Sequence, residues 1–275
     1  VDFLKVANCG GYAVEGKTIV VGGGNVAIDA ARVSVRSGAK EVAMYCLETR
    51  DIMPASNEEI AEAQEDGVAI NCGWGPKEVV VENGKAVAVV FKKCLSVFDE
   101  NHRFNPVYDE NETQTVACDN VIFAVGQTIV WGDLLKGTKV EFGRGNGPVA
   151  YTLTYQTAEE DIFVGGDVFT GPKFAIDAIA QGHEAAESLH RYVQHGHMTI
   201  GRNRRQFIQI DTDDIKVESY DNSSRQEAGM DESIDAKSFK DAHKTLTEEQ
   251  VKTETARCLG CGVTIVDANR CIGCG

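Results

Sequence analysis

TIVVGGGNVAIDAAR, residues 18–32, carries the pattern that decides the fold. Thr18 to Val21 is a β-branched run suited to a strand, and the run from Asn25 to Ser37 has helical apolar spacing through Val26, Ala30, Ala31 and Val33. Between them, Gly22-Gly23-Gly24-Asn25-Val26-Ala27 fits G-x-G-x-x-A. The first glycine permits a tight turn, the next lets a pyrophosphate approach the backbone, and the small Ala27 permits close helix–sheet packing. A helix beginning there offers free N–H groups and a positive dipole end to an anion. With Glu41 to Cys46 as the next strand, the order strand, glycine turn, helix, strand is a βαβ unit and predicts a parallel sheet.

Further along, a second helix is expected over Asn57 to Asp66, with Ser56 and Glu59 placed as a capping box, then a short strand over Val68 to Asn71. Strands are expected at Glu78 to Val81, Ala86 to Lys92, Thr113 to Ala117 and Asn120 to Val125, with Asn83-Gly84 as a hairpin turn. The polar segment Asp99 to Glu112 reads as a long turn, Asp161 to Gly165 as a strand, and Phe174 to Val193 as a helix. Beyond Gly196 the periodicity fades. Asp211 to Asp241 reads as an irregular acidic connector, and Thr247 to Arg257 as a short helix leading into cysteines.

A net charge of −15 argues against nucleic acid as a partner, and the one basic cluster, Arg202 to Arg205, is short and followed by acids. No apolar run approaches the length of a membrane span and the first residues lack the order of a signal peptide, so a cytoplasmic chain with no membrane partner is the expectation. The start at Val1 and the stop at Gly275, straight after a cysteine pair, suggest a chain cut at both ends.

Gly11 to Thr18 also matches the string G-x-x-x-x-G-K-[ST], but Lys17 and Thr18 run into a strand where a phosphate-binding loop needs a helix, so that reading is rejected. Glu48, near the end of the second strand, is the acidic candidate for the adenosine ribose: a carboxylate there accepts from the ribose hydroxyls and repels a 2′-phosphate, favouring NAD(H). Arg50, which can pair with a 2′-phosphate, and Ala27, common in NADP(H) sites, point the other way. Gly165-Gly166-Asp167 closes an apolar run and suits a ligand whose sugar-like hydroxyl meets Asp167, although an ordinary turn aspartate fits equally well.

Cys258, Cys261, Cys271 and Cys274 form C-x₂-C-x₉-C-x₂-C, four thiolates able to hold zinc or an iron-sulfur cluster, against the alternative of two unrelated pairs. Cys9, Cys46, Cys72, Cys94 and Cys118 read as small core residues, and His195-Gly196-His197 as a solvated helix end. No Tyr-x-x-x-Lys pair and no G-x-S-x-G is present, and no catalytic side chain is assigned.

IVVGGGNVAIDAAR, DIMPAS, NCGWGPKEV, VIFAVGQ, TYQT, IFVGGDVFTGPKFAIDAIAQGHEAA and ETARCLGCG together resemble the flavoproteins related to the small (beta) subunit of bacterial glutamate synthase, in the group with extra iron-sulfur modules. The resemblance implies an α/β architecture of two dinucleotide-binding domains. Residues 1–125 would form a Rossmann-like NAD(P)H-binding domain and residues 126–198 the returning half of an FAD-binding domain. An acidic connector at 199–246 and an iron-sulfur segment at 247–275, the irregular C-terminal tail, would follow. It implies FAD contacts at Gly126, Gly166 and Asp167, and at Ala175 and Ile176 within the helix start Thr170 to Gln181. The four tail cysteines would ligate clusters of the 4Fe-4S kind.

Two departures from the family stand out. Its NADPH-using members carry paired arginines where this chain has Cys46-Leu47-Glu48, and its FAD-binding glycine motif lies upstream of any residue here, so only half of an FAD site is expected. The implied activity is hydride transfer from NAD(P)H to FAD and single-electron transfer through iron-sulfur clusters to a ferredoxin-like or amidotransferase-like partner. Two other readings remain: a nucleotide-binding fragment without turnover, and a zinc-bearing regulatory protein.

Overall fold

The computed structural model describes residues 1–9, 12–202, 221, 223–235, 237–258 and 260. The chain divides into two compact units, Val1–Val125 with Lys216–Gly275, and Gly126–Ile215. Among the described residues, no helix is long and apolar enough to cross a membrane.

The first unit is built on a four-stranded parallel sheet: β1 (Lys17–Val21), β2 (Glu41–Cys46), β3 (Ala69–Cys72) and β7 (Asn120–Phe123), in the order β3-β2-β1-β7. Strand β1 is apolar without alternation because both its faces are covered. Val20, Val42, Met44 and Cys46 pack against Ala27, Ile28 and Ala31 of α2 (Asn25–Arg36) and Ile60 and Ala63 of α3 (Asn57–Glu65). Ile19, Val21, Ala43 and Tyr45, one residue out of phase, pack on the other side against Val89, Phe91 and Cys118. Tyr45 and Phe91 stack with ring centres 4.1 Å apart and planes 14° from parallel. A helix not anticipated from the sequence, α1 (Asp2–Asn8), places Phe3 and Leu4 against the helical layer.

The second layer of this unit is an antiparallel sheet of β4 (Trp74–Glu82), β5 (Lys85–Phe98) and β6 (Phe104–Ala117). Asn83 and Gly84 both have positive φ, as a two-residue hairpin of type I′ demands. The expected long turn over Asp99 to Glu112 is overturned: the turn closes at residues 99–103, where the Asp99 carboxylate accepts the N–H groups of Asn101 and Arg103, and Phe104 starts β6. Strand β6 is an edge whose middle, Asp109 to Thr115, is polar, and its pairing with β5 supplies what periodicity did not show. Lys92 fastens the two strands by an ion pair to Glu110 at 2.8 Å and by lying over the Tyr108 ring.

Two other expectations are corrected. Ser56 Oγ accepts the Glu59 N–H, but the reciprocal half of a capping box is absent, because the Ser56 N–H goes instead to Asn25 Oδ1. Asp161 to Gly165 is no strand: it contributes one isolated bridge, Phe163 to Gln156, since no neighbouring strand in its unit offers a ladder.

In the second unit the chief element is α5 (Ala175–Val193), preceded by the single turn α4 (Asp167–Thr170). Of the connector, residues 211–220 lie outside the described residues, and its remaining described residues to Asp241 form turns without helix or strand. α6 (Glu248–Ala256) carries a complete capping box between Thr247 and Gln250.

Phe91 is fully buried, and replacing Phe by Ala in a packed core typically costs about 3–5 kcal/mol. Phe91→Ala should therefore lower the urea midpoint with little change in slope. A loss below about 1 kcal/mol would show that the stack with Tyr45 does not hold the two sheets together.

Candidate functional site

The glycine turn leaves the carboxyl end of β1 and enters α2 directly. Gly22 donates its N–H to the Tyr45 carbonyl at 2.9 Å and has φ +144°; a Cβ there would stand 2.5 Å from the Ala124 carbonyl oxygen. Only glycine fits that position. Ala27 is buried, and its Cβ lies 3.2 Å from the Cβ that Gly22 lacks, so a small residue lets the helix close on the sheet. Val26 is exposed on the opposite side.

Gly24 caps α2 without a side-chain hydrogen bond, no acidic residue occupies the first turn, and nothing lies within 4 Å of its missing Cβ. The helix therefore presents backbone N–H groups and a positive dipole end on an open side, the requirement for an anion. Segment 51–56, DIMPAS, is latched to this turn: Ala55 N–H donates to the Gly23 carbonyl at 3.1 Å and Ser56 N–H to Asn25 Oδ1 at 3.0 Å. Met53 and Ala55 are buried beneath it. Asn25 thus fixes the cradle through its side chain, a role that spacing alone did not reveal.

Glu48 lies at the same place. Its carboxylate oxygen is 2.7 Å from the position of a Cβ on Gly23, and its carbonyl accepts the Gly73 N–H at 2.9 Å, which fixes the backbone beyond β2. Arg50, exposed in the short turn Arg50–Ile52, donates to Asn57 Oδ1 at 3.1 Å. Burial pushes the Cys46 thiol up, with the Cys72 thiol beside it adding to the effect. Burial also raises the Asp29 carboxyl on α2, against the opposing pull of Arg32.

In the second unit, Gly166 has φ +72°, its N–H donates to Gln181 Oε1 at 2.7 Å, and Asp167 Oδ1 accepts the Lys173 N–H at 3.3 Å. Gln181 is buried on α5 and ties this turn to the helix, while Ala175 and Ile176 form its exposed first turn. A glutamine on the polar stripe of a helix carries no sequence signal for that role. Gly126 also takes a positive φ, +121°.

Lys17 and Thr18 are strand residues, with Lys17 Nζ 2.7 Å from Glu41, which agrees with rejecting a triphosphate loop. Arg202 pairs with Glu184 at 2.7 Å and is spent on α5. Cys258 is exposed and free; Cys261, Cys271 and Cys274 lie outside the described residues.

Comparison with known proteins agrees with this geometry. A family model for pyridine nucleotide-disulphide oxidoreductases matches residues 4–182. The beta subunit of NADP(+)-dependent formate dehydrogenase from Moorella thermoacetica is 35% identical over 189 residues, 67% of this chain and 26% of that protein. The small chain of glutamate synthase [NADPH] from Halomonas elongata is 31% identical over 185 residues, 66% of this chain and 39% of that protein. Subunit PreT of the NAD-dependent dihydropyrimidine dehydrogenase from Escherichia coli O157:H7 is 33% identical over 196 residues, 70% of this chain and 42% of that protein. The chain thus spans well under half the length of these relatives. Among solved structures, T. acidophilum thioredoxin reductase aligns with a TM-score of 0.51 at 21% identity, over 65% of this chain and 52% of that one. Mycobacterium tuberculosis FprA, solved with NADPH, aligns with a TM-score of 0.53 at 15% identity, over 66% and 53%. These likenesses bear on fold alone and agree with the α/β architecture of parallel and antiparallel sheets described above. With most of both compact units inside the matched residues, the chain belongs to the pyridine nucleotide-disulphide oxidoreductase family.

Proposed function

We propose that this chain is the nicotinamide-nucleotide-binding part of an oxidoreductase of the glutamate synthase small-subunit type, drawing on NAD(H) and delivering electrons by way of FAD and iron-sulfur clusters to a ferredoxin-like or amidotransferase-like partner. The observation that carries it is the glycine turn: a strand end, a position that admits no Cβ, and an open, uncapped helix start in direct succession. Residues 1–125 would hold the nicotinamide nucleotide and residues 126–198 part of an FAD site.

The residues fit a dinucleotide. Gly23 and Gly24 let the pyrophosphate reach the first N–H groups of α2, with Asn25 and segment 51–56 holding the turn in shape. Val26 and Ala27 complete the turn, one outward and one inward. Glu48, beside Gly23, accepts from the adenosine ribose hydroxyls and opposes a 2′-phosphate; Arg50, bonded to Asn57, does not offset it. This favours NAD(H) over NADP(H), although the names of several relatives carry NADP.

For FAD, the residues of the proposal are Gly166 and Asp167, with Gly166 tied to α5 through Gln181, Ala175 and Ile176 at the exposed start of α5, and Gly126. The α5 N-terminus has no side-chain cap, so its dipole favours negative charge near the flavin ring. Bound NAD(H) and FAD supply hydride chemistry, and the protein groups orient them without a side-chain acid or base. Cys258, Cys261, Cys271 and Cys274 are the cluster ligands of the proposal.

An anaerobic absorption spectrum recorded before and after NADH tests the reading. Flavin bands that bleach are expected; a colourless protein that still binds NADH would reduce the proposal to a nucleotide-binding module. Gly22→Ala should weaken NADH binding at least about tenfold by calorimetry, because the added Cβ displaces the Ala124 carbonyl and reshapes the turn. Removing one charge about 4 Å from another is worth about 1 kcal/mol even in water, so Glu48→Gln should shift the NADPH-to-NADH affinity ratio about fivefold towards NADPH. An unchanged ratio would remove Glu48 from ribose recognition.

A further inference from the structure

Three sulfur atoms converge at the closed side of the glycine turn. Cys46 and Cys72 end the parallel strands β2 and β3 as direct register partners, so their side chains leave the same face of the sheet. Cys72 Sγ lies 3.7 Å from Met53 Sδ, and the Cys46 thiol lies beside the Cys72 thiol across the strand pair. Cys46 is 2% exposed and Met53 9%, both in one apolar cluster on which Cys72 packs. The Glu48 carbonyl accepts the Cys46 thiol at 3.7 Å and the Glu48 carboxylate lies close by on the Gly23 side, while the cluster around the sulfurs is otherwise apolar.

A triangle of sulfurs around a metal, with bonds of about 2.3 Å, has edges of about 4 Å. The observed Cys72–Met53 separation of 3.7 Å is close to that edge. Two thiols and a thioether form a soft donor set, which selects a soft, low-coordinate ion over zinc, magnesium or calcium. Because the third donor is a thioether, the site needs no third His, Cys, Asp or Glu, and among the described residues no such group of three exists.

We propose that Cys46, Cys72 and Met53 form a three-sulfur binding site for Cu(I). Binding exchanges the two thiol protons, which pass to solvent, for one Cu(I) held by two thiolates and the thioether, with no change of oxidation state. The ion ties the ends of β2 and β3 to segment 51–56, the segment that latches Gly23 and Asn25. Its occupancy therefore stiffens the cradle from behind, and the site stands on sulfur geometry whatever ligand the cradle takes.

The test is an anaerobic titration of the full chain with the Cu(I)–bicinchoninate complex, whose loss of colour counts the ions transferred, alongside Cys72→Ala and Met53→Leu. Cys72→Ala should take up one Cu(I) fewer than the parent chain. Met53→Leu, which conserves volume, should bind that ion at least tenfold more weakly. In the copper-loaded parent, alkylation of Cys72 by iodoacetamide, followed by peptide mass spectrometry, should slow at least tenfold, a readout that needs no variant to fold. Equal uptake by all three proteins, an unchanged alkylation rate, or a Cys46–Cys72 disulfide two hydrogens lighter in place of bound copper would each overturn the site.

Discussion

Burial of β1 on both faces is the constraint from which the rest follows. Ile19, Val20 and Val21 are all essentially inaccessible, and each such side chain is worth roughly 1.5–3 kcal/mol of transfer free energy. A strand covered above and below has its open end only where the chain leaves the sheet. The glycines stand there because the departing backbone passes against the Ala124 carbonyl of the neighbouring strand end, where a Cβ cannot be placed. The open helix start in this unit is thus a by-product of packing: the layers that bury β1 also force the tight turn that exposes a helix N-terminus.

The second consequence concerns what holds that turn. A glycine-rich loop is entropically costly to order, and here two N–H groups of segment 51–56 restrain it, one donating to the Gly23 carbonyl and one to Asn25 Oδ1. That segment is anchored by Met53 and Ala55 in the same helical layer that receives Ala27 and Ile28. Core packing, loop shape and the placement of Glu48 beside Gly23 are therefore linked within one unit, and a change to any of them reaches the others over a few ångströms.

Legibility of the sequence tracked how local each determinant is. The βαβ unit, the hairpin at Asn83-Gly84 and α5 rest on short-range periodicity or turn chemistry, and all of them form. The failures lie where a partner decides. Phe104 to Glu112 looks like a loop because Asn105, Pro106 and the run Asp109 to Glu112 break any apolar period, yet β5 recruits it. Asp161 to Gly165 has every local mark of a buried strand and forms one bridge, because a strand exists only beside another. The capping box at Ser56 is half made because Asn25, thirty-one residues earlier, claims the N–H that Glu59 was expected to take.

By itself the sequence determined the glycine turn at Gly22 to Ala27, the parallel order it implies, and the family resemblance, since glycine spacing, a β-branched run and helical periodicity are written residue by residue. Only the tertiary structure decided that Glu48 sits beside Gly23, that Asn25 and Gln181 act as braces, and that Cys46, Cys72 and Met53 bring their sulfur atoms together. Those relations join residues 7 to 31 positions apart along the chain. They depend on strand register and layer packing, which hydrophobic burial sets collectively and no single stretch of sequence encodes.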